Sequence, residues 1–68
     1  MIDVNKLRGA IAENRLTNRE LAKRLNMTDN TFYRKMKRGV FDSDEMEAMI
    51  GILHLQDPMA IFFAKRGA

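Results

Sequence analysis

The sequence predicts a compact all-α domain of five helices. Apolar residues recur at spacings of three and four, strand-type alternation is absent, and helix-capping residues precede the apolar stripes. The chain has 68 residues with one proline and four glycines, so residues 1–68 are expected to form a single domain with short loops. It contains no cysteine, and helix packing must therefore supply the stability that disulfides would otherwise provide.

The first two helices have clear starting signals. Helix 1 is predicted from about Asp3 to Asn14, with Asp3 as its N-cap. Helix 2 begins after Thr17, which forms a capping box with Glu20. Both inward faces are apolar: Val4, Leu7 and Ile11 in helix 1, and Leu21, Ala22 and Leu25 in helix 2.

A short turn separates helix 2 from helix 3. Asn26 suits this turn because asparagine tolerates a left-handed backbone, and Met27 is expected to enter the core. Thr28 then caps helix 3, which is predicted over about 29–37 and to end near Gly39, a residue suited to a left-handed helix end.

Helix 4 is predicted over about 43–53. Asp42 and Glu45 form a second capping box at its start, and His54 is expected to end it as a left-handed residue or a partner of the helix dipole. Its apolar stripe reads as ordinary core and consists of Met46, Met49, Ile50 and Leu53.

Charge is unevenly distributed along the chain. The net charge is +3, but eight basic residues and only two acids, Glu20 and Asp29, lie in or beside the segment 17–39, which gives it a local charge of +6. The segment 42–57 holds five acids and no lysine or arginine. A basic run can be only a solvated helix face, but a compact helical pair with this charge is also what binding in the major groove of DNA requires.

A helical wheel divides helix 3 into two faces. Phe32 and Met36 point toward the core, whereas Asn30, Arg34 and Lys37 point away from it. Arginine pairs in a bidentate way with guanine and asparagine does so with adenine, and residues near the start of such a helix enter the groove most deeply. The candidates for contact with bases are Asn30 and Arg34 first, then Thr31 and Asp29, with Tyr33 on the flank.

Two of these residues also have structural explanations. Tyr33 could equally cover the rim of the core. For Asp29, interaction with the helix dipole at the first turn is favoured over base contact, because a carboxylate near phosphates is repelled. The candidates for contact with DNA phosphates lie at the start of helix 2 and in the second half of helix 3, and they are Asn18, Arg19, Lys35, Lys37 and Arg38.

The C-terminal segment suggests a contact between two copies of the chain. Asp57 and Pro58 are the N-cap and first-turn signals of helix 5, predicted over about 58–64, and residues 65–68 are expected to fray. Ile61, Phe62 and Phe63 point over about 200° on a helix and cannot all face one core. At least one should be exposed and form a dimer interface, unless the chain folds back and buries all three.

Other functions have little support in the sequence. The only histidine is His54 and the only serine is Ser43, and no cluster has metal-ligand spacing or a phosphate-binding glycine loop. No enzyme activity, metal or cofactor is therefore expected, and no small-molecule ligand is evident. No apolar run suits a membrane span or a signal peptide, which favours a cytoplasmic location.

The same segments resemble a known family, the small helix-turn-helix repressors of temperate phages, of the lambda-repressor and Cro type. FDSDEMEAMIGILHL resembles the family's helix 4, and DPMAIFFA is similar to the tail of small phage regulators of Gram-positive bacteria. The remaining matching positions are Leu21-Ala22, Leu25-Asn26-Met27-Thr28, Thr31-Phe32 and Gly39. The resemblance covers nearly the whole chain.

The resemblance implies a five-helix domain, with a helix-turn-helix at helices 2 and 3, that represses transcription by binding double-stranded operator DNA as a homodimer. It implies a phosphate contact for Asn18 and base contacts for Asp29, Asn30 and Arg34. The alternatives within this class are a repressor, a Cro-like antagonist and an excision factor. A chain of this length leaves no room for a separate autoproteolytic domain, which favours the Cro-like one. The alternative is a small protein-interaction module or antitoxin-like protein that binds a partner through its apolar tail and acidic helix 4.

Overall fold

The computed structural model describes residues 2–63, which form five helices and no strand. The helices are α1 (Val4–Glu13), α2 (Asn18–Arg24), α3 (Asp29–Arg38), α4 (Ser43–Leu53) and α5 (Pro58–Phe62). The radius of gyration is 11.1 Å, close to the value of about 11 Å expected for a folded chain of this length. The predicted all-α class, the number of helices and the compact shape are confirmed for this part of the chain.

Every helix begins at a side chain that the sequence predicts as a cap. Each cap accepts a hydrogen bond from the backbone N–H three residues further on, which satisfies an amide that the helix leaves free. Glu20 and Glu45 complete capping boxes by accepting from the backbone N–H of Thr17 and Asp42. The five caps are Asp3, Thr17, Thr28, Asp42 and Asp57.

The first four helices share one type of ending. A residue with positive φ follows each helix, and the next residue donates its N–H to a carbonyl five positions back. The left-handed residues are Arg15, Asn26, Gly39 and His54. The returning bonds run from Leu16 to Ile11, from Met27 to Ala22, from Val40 to Lys35 and from Leu55 to Ile50. The sequence predicts the left-handed backbone at the last three positions but not at Arg15.

The core draws on every helix. One wholly buried large side chain comes from each of α1 to α4, namely Leu7, Leu21, Phe32 and Met49. Ile61 and Phe62 of α5 are also buried, and Met27 packs against the core as predicted. The ring centroids of Phe32 and Phe41 lie 5.7 Å apart in a tilted arrangement, which fixes α3 against the loop that follows it.

Backbone and side-chain hydrogen bonds hold α1 against α4 and α5. Asp3 donates its N–H to the carbonyl of Ile61 at 2.7 Å, where α1 packs against α5. Asn14 donates its side-chain amide to the carbonyls of Ala10 and Leu53, at 2.8 and 3.0 Å, and joins the ends of α1 and α4. These contacts leave α3 packed on α2 with its outer face free of other helices.

The predicted bounds of helices 1, 3 and 4 agree with the structure to within one residue. α3 extends to Arg38, one residue beyond the prediction, and α5 ends at Phe62. The predicted end of helix 5 at Ala64 and the predicted fraying of 65–68 lie outside the described residues. Among residues 2–63, no helix has both the length and the apolar character that crossing a membrane requires.

Candidate nucleic-acid interface

α3 has one exposed polar face, here called the ridge, and one buried apolar face. Phe32 and Met36 are buried, whereas Asn30, Arg34 and Lys37 are exposed on the opposite face, as the helical wheel predicts. The ridge thus carries an amide, a guanidinium and an ammonium. All three groups can donate hydrogen bonds to phosphate oxygens or to base edges.

Two grooves border this ridge. The first, here called the Tyr33 groove, has a volume of about 340 Å³ and lies between α3, the start of α2 and Arg8 of α1. The second, the Arg38 groove, has a volume of about 390 Å³ and lies between α3 and residues 40–42. Lys37 lines the Tyr33 groove and Arg34 lines the Arg38 groove, whereas Asn30 is exposed and lines neither.

Tyr33 lies on the outside of the domain. It is 62% exposed and lines the Tyr33 groove together with Lys37, one turn further along α3. Its ring lines this groove beside the core residues Phe32 and Met36, a position that fits both the predicted DNA contact and the alternative of a cover at the core rim. Its phenol can both donate and accept a hydrogen bond at the groove.

An ion pair links α2 to α3 beside the Tyr33 groove. Nε of Arg19 lies 2.9 Å from Oδ2 of Asp29, and the two side chains are 82% and 52% exposed. The carboxylate predicted either to contact bases or to interact with the helix dipole is therefore also bonded to a cation. The bond uses one of the five N–H groups of the guanidinium, and the others can still donate to an anion.

A second ion pair links α3 to α4. Nζ of Lys35 pairs with Oε2 of Glu45, and the side chains are 31% and 16% exposed. Oε1 of the same Glu45 accepts from the N–H of Asp42 in the capping box of α4. The ammonium predicted to contact a phosphate is thus held toward α4 and away from the ridge, which leaves Lys37 and Arg38 as the exposed cations of the last turn of α3.

Both acids of the basic segment 17–39 are bonded within the protein. Asp29 is paired with Arg19, and Glu20 accepts from the backbone N–H of Thr17 at 2.9 Å. The hydrogen bond from the Thr17 backbone, together with that from its side chain, lowers the pKa of Glu20 and keeps the carboxylate charged. Neither acid needs an external partner, so the unmatched charge on this surface is positive.

Thr31 is bonded to the cap of its own helix. Its backbone N–H donates to Oγ1 of Thr28 at 3.2 Å, and its hydroxyl accepts from that of Thr28 at 3.0 Å. The side chain is half-buried and lines the Arg38 groove. Its hydroxyl proton remains able to donate outward, which keeps Thr31 a candidate for a base or phosphate contact.

The C-terminal apolar residues separate into two sets. Ile61 and Phe62 belong to the core, while Phe63 is 58% exposed, so the prediction that at least one of the three is exposed is confirmed. Met59 lies one turn before Phe63 and is 63% exposed. The predicted interface of three residues thus narrows to Phe63. The spacing of four residues could have identified Met59 as its neighbour.

The described residues offer no obvious metal site. Within residues 2–63, no three histidine, cysteine, aspartate or glutamate side chains come together in the way that binding a metal ion requires. His54 is exposed and takes the predicted left-handed conformation after α4, with φ of 51°. Its place in the structure is that of a helix end.

The chain matches no family model, no curated protein and no solved structure. The distinctive feature of its basic surface is the arrangement of its own side chains. A polar ridge stands between two grooves, and both neighbouring acids are already bonded within the protein.

Proposed function

We propose that this protein is a sequence-specific DNA-binding transcriptional regulator that resembles the Cro-like phage repressors, with α2 and α3 as its helix-turn-helix. One observation carries the proposal, which is the division of α3 into a buried apolar face and an exposed face of hydrogen-bond donors. The major groove of B-DNA is about 12 Å wide and admits one α-helix. α3 enters it with the ridge foremost.

Asn30 and Arg34 read bases in this arrangement. Both stand on the ridge, and their side chains make the bidentate pairs that distinguish adenine and guanine. Thr31 and Tyr33 flank them and contact neighbouring base edges or sugars. Asp29 contributes mainly by holding Arg19, because a free carboxylate close to the phosphates would be repelled.

Phosphate contacts surround the ridge. Asn18 and Arg19 approach one strand from α2, and Lys37 and Arg38 extend the contact from the last turn of α3. These four residues are exposed. Lys35 joins them only if its ammonium leaves Glu45, so it contributes less than the others.

The active form is a homodimer on operator DNA, joined through Phe63 and its neighbour Met59. A two-fold pair of α3 ridges would then meet two half-sites about 34 Å apart. Sedimentation of the wild type and of Phe63→Ala, each alone and with operator DNA, tests this interface. We expect the substitution to weaken dimer formation, and indistinguishable behaviour of the two proteins in both conditions would contradict it.

Selection of bound DNA from random duplexes, followed by binding measurements at several salt concentrations, tests the proposed function. A regulator that neutralises about six phosphates should lose roughly 10³-fold in affinity between about 50 and 200 mM salt. Recovery of no preferred sequence, together with binding that does not depend on salt, would refute the proposal.

The ridge residues can be tested one against another. Arg34→Ala should cost about 1–3 kcal/mol of binding free energy and relax the preference at one operator position. Lys37→Ala, the matched control on the same face, should weaken all sequences alike. An unchanged sequence preference in Arg34→Ala would remove the base-reading role from this residue.

A second candidate function is binding of a protein partner, as in an antitoxin. The exposed pair Met59 and Phe63 and the exposed acids of α4 favour it. A partner that binds through these residues would form a complex insensitive to Arg34→Ala and sensitive to Phe63→Ala. The DNA-binding proposal predicts instead that binding of a monomer to a single operator half-site is sensitive to Arg34→Ala and insensitive to Phe63→Ala.

A further inference from the structure

We propose that the Tyr33 groove receives the sugar–phosphate backbone of one DNA strand, and that Arg8 of α1 is a phosphate contact there. This inference rests on the proposed function, because its ligand is duplex DNA. It extends the interface to a third helix, on which neither the charge pattern of residues 17–39 nor the helical wheel places a contact.

Three cations from three helices line this groove. Arg8 comes from α1, Arg19 from α2 and Lys37 from α3, and all are exposed. Arg8 follows the wholly buried Leu7, so packing of α1 fixes the direction in which the guanidinium leaves the helix. The groove therefore gathers positive charge that is scattered along the sequence.

The groove also has unmatched charge. Asp29 is the only acid among its lining residues, and its carboxylate is bonded to Arg19. Three cations against one acid leave two positive charges for an external anion. Tyr33 and Asn18 add polar groups at the rim that can donate to phosphate oxygens.

The groove also has an apolar part. The exposed ring of Tyr33 supplies it, since Phe32 and Met36, which line the groove behind this ring, are only 1% and 3% exposed. A deoxyribose ring presents carbon-bound hydrogens beside an anionic phosphate, so a nucleic-acid backbone matches both parts of the groove. A purely inorganic anion would contact the cations of the groove but not the Tyr33 ring.

The position of the groove selects the strand backbone over a free small anion. A helix in the major groove has a sugar–phosphate backbone on each side. The Tyr33 groove runs along one side of the α3 ridge and the Arg38 groove along the other. When Asn30 and Arg34 face the bases, the Tyr33 groove faces one backbone, and Arg8 meets its phosphates from α1.

The test compares Arg8→Gln with Lys6→Gln. Both substitutions remove one positive charge from the exposed surface of α1, but Lys6 lines a different groove, beside residues 53–61. Arg8→Gln should weaken binding to every duplex by roughly three- to tenfold and reduce the slope of log affinity against log salt by about 1. Lys6→Gln should leave the affinity and the slope close to those of the wild type.

A second measurement does not depend on the variants. Nuclear magnetic resonance signals of the Tyr33 ring and the Arg8 side chain should shift when a short duplex is added to the wild-type protein. If Arg8→Gln and Lys6→Gln behave alike while the wild type binds DNA, the inference fails and the proposed function survives. Shifts with thymidine monophosphate but not with duplex would also overturn it, and a wild type that binds no DNA would overturn both proposals.

Discussion

Two ion pairs flank α3, and each joins residues ten positions apart in the sequence. Arg19 and Asp29 meet on the open surface beside the Tyr33 groove, whereas Lys35 and Glu45 meet in a partly buried position between α3 and α4. Each pair joins one cationic side chain to one carboxylate. The two pairs differ in their exposure to solvent, and we therefore expect them to contribute differently to the free energy of unfolding.

Exposure decides what each pair contributes. Charges on an open surface are screened by water and salt, and such a pair adds about 0–1 kcal/mol to stability. A partly buried pair has lost some of its hydration, so removal of one partner leaves a costly unmatched charge. We infer that Lys35 and Glu45 fix α3 on the domain, whereas Arg19 and Asp29 mainly orient a side chain that can contact DNA.

The largest predicted effect is that of Glu45→Ala. This substitution removes the partner of Lys35 and one half of the capping box of α4, and we expect it to lower the free energy of unfolding by about 2 kcal/mol. Chemical denaturation followed by circular dichroism measures the change. Glu47→Ala, an exposed acid on the same helix, should change stability by less than about 0.5 kcal/mol, and equal losses in the two variants would contradict the proposed role of Glu45.

Double-mutant cycles compare the two pairs directly. A cycle of Lys35→Met with Glu45→Gln keeps a residue able to complete the capping box, so it isolates the ion pair, and should give a coupling energy of about 1 kcal/mol. A cycle of Arg19→Met with Asp29→Asn should give less than about 0.5 kcal/mol and should vanish at high salt. Equal coupling energies would show that burial does not distinguish the pairs.

Unfolding measured as the pH is lowered tests whether the exposed carboxylate of Glu20 contributes to the stability of the domain. Its pKa is lowered by the hydrogen bonds from Thr17, so its stabilising contribution is present at neutral pH and is lost as the pH falls through the lowered pKa, below about 4.5. Glu20→Ala should remove this part of the acid sensitivity. Glu13→Ala, an exposed acid of α1, serves as the control, and an unchanged acid profile in Glu20→Ala would count against the capping role.

Asp29→Asn is expected to have the smallest effect on stability, within about 0.5 kcal/mol. The same substitution should raise affinity for all DNA sequences alike, because the amide oxygen of asparagine can still accept from Nε of Arg19 while the negative charge near the phosphates is lost. Filter-binding or fluorescence anisotropy at low salt measures this gain. Asp44→Asn makes the same charge change on exposed α4, and an equal gain there would show that only net charge matters.

The helices and the two faces of α3 could be predicted from the sequence because they follow local rules. A cap lies within three residues of the amide it satisfies, and the positions of Phe32 and Asn30 follow from the helical repeat alone. The ion pairs of Asp29 and Glu45 depend on the packing of two helices, which no local rule provides. Arg15 was missed because arginine has no preference for a left-handed backbone.

The uniform helix endings also bear on how this domain could evolve or be engineered. Three of the four left-handed positions hold a residue with a side chain, and only one holds glycine. A side chain in this conformation costs about 1 kcal/mol, partly offset by the greater freedom of glycine in the unfolded chain. Arg15 and His54 are exposed, so glycine at either position should raise the melting temperature without disturbing the core. The stability gained in this way could compensate for destabilising substitutions on the ridge.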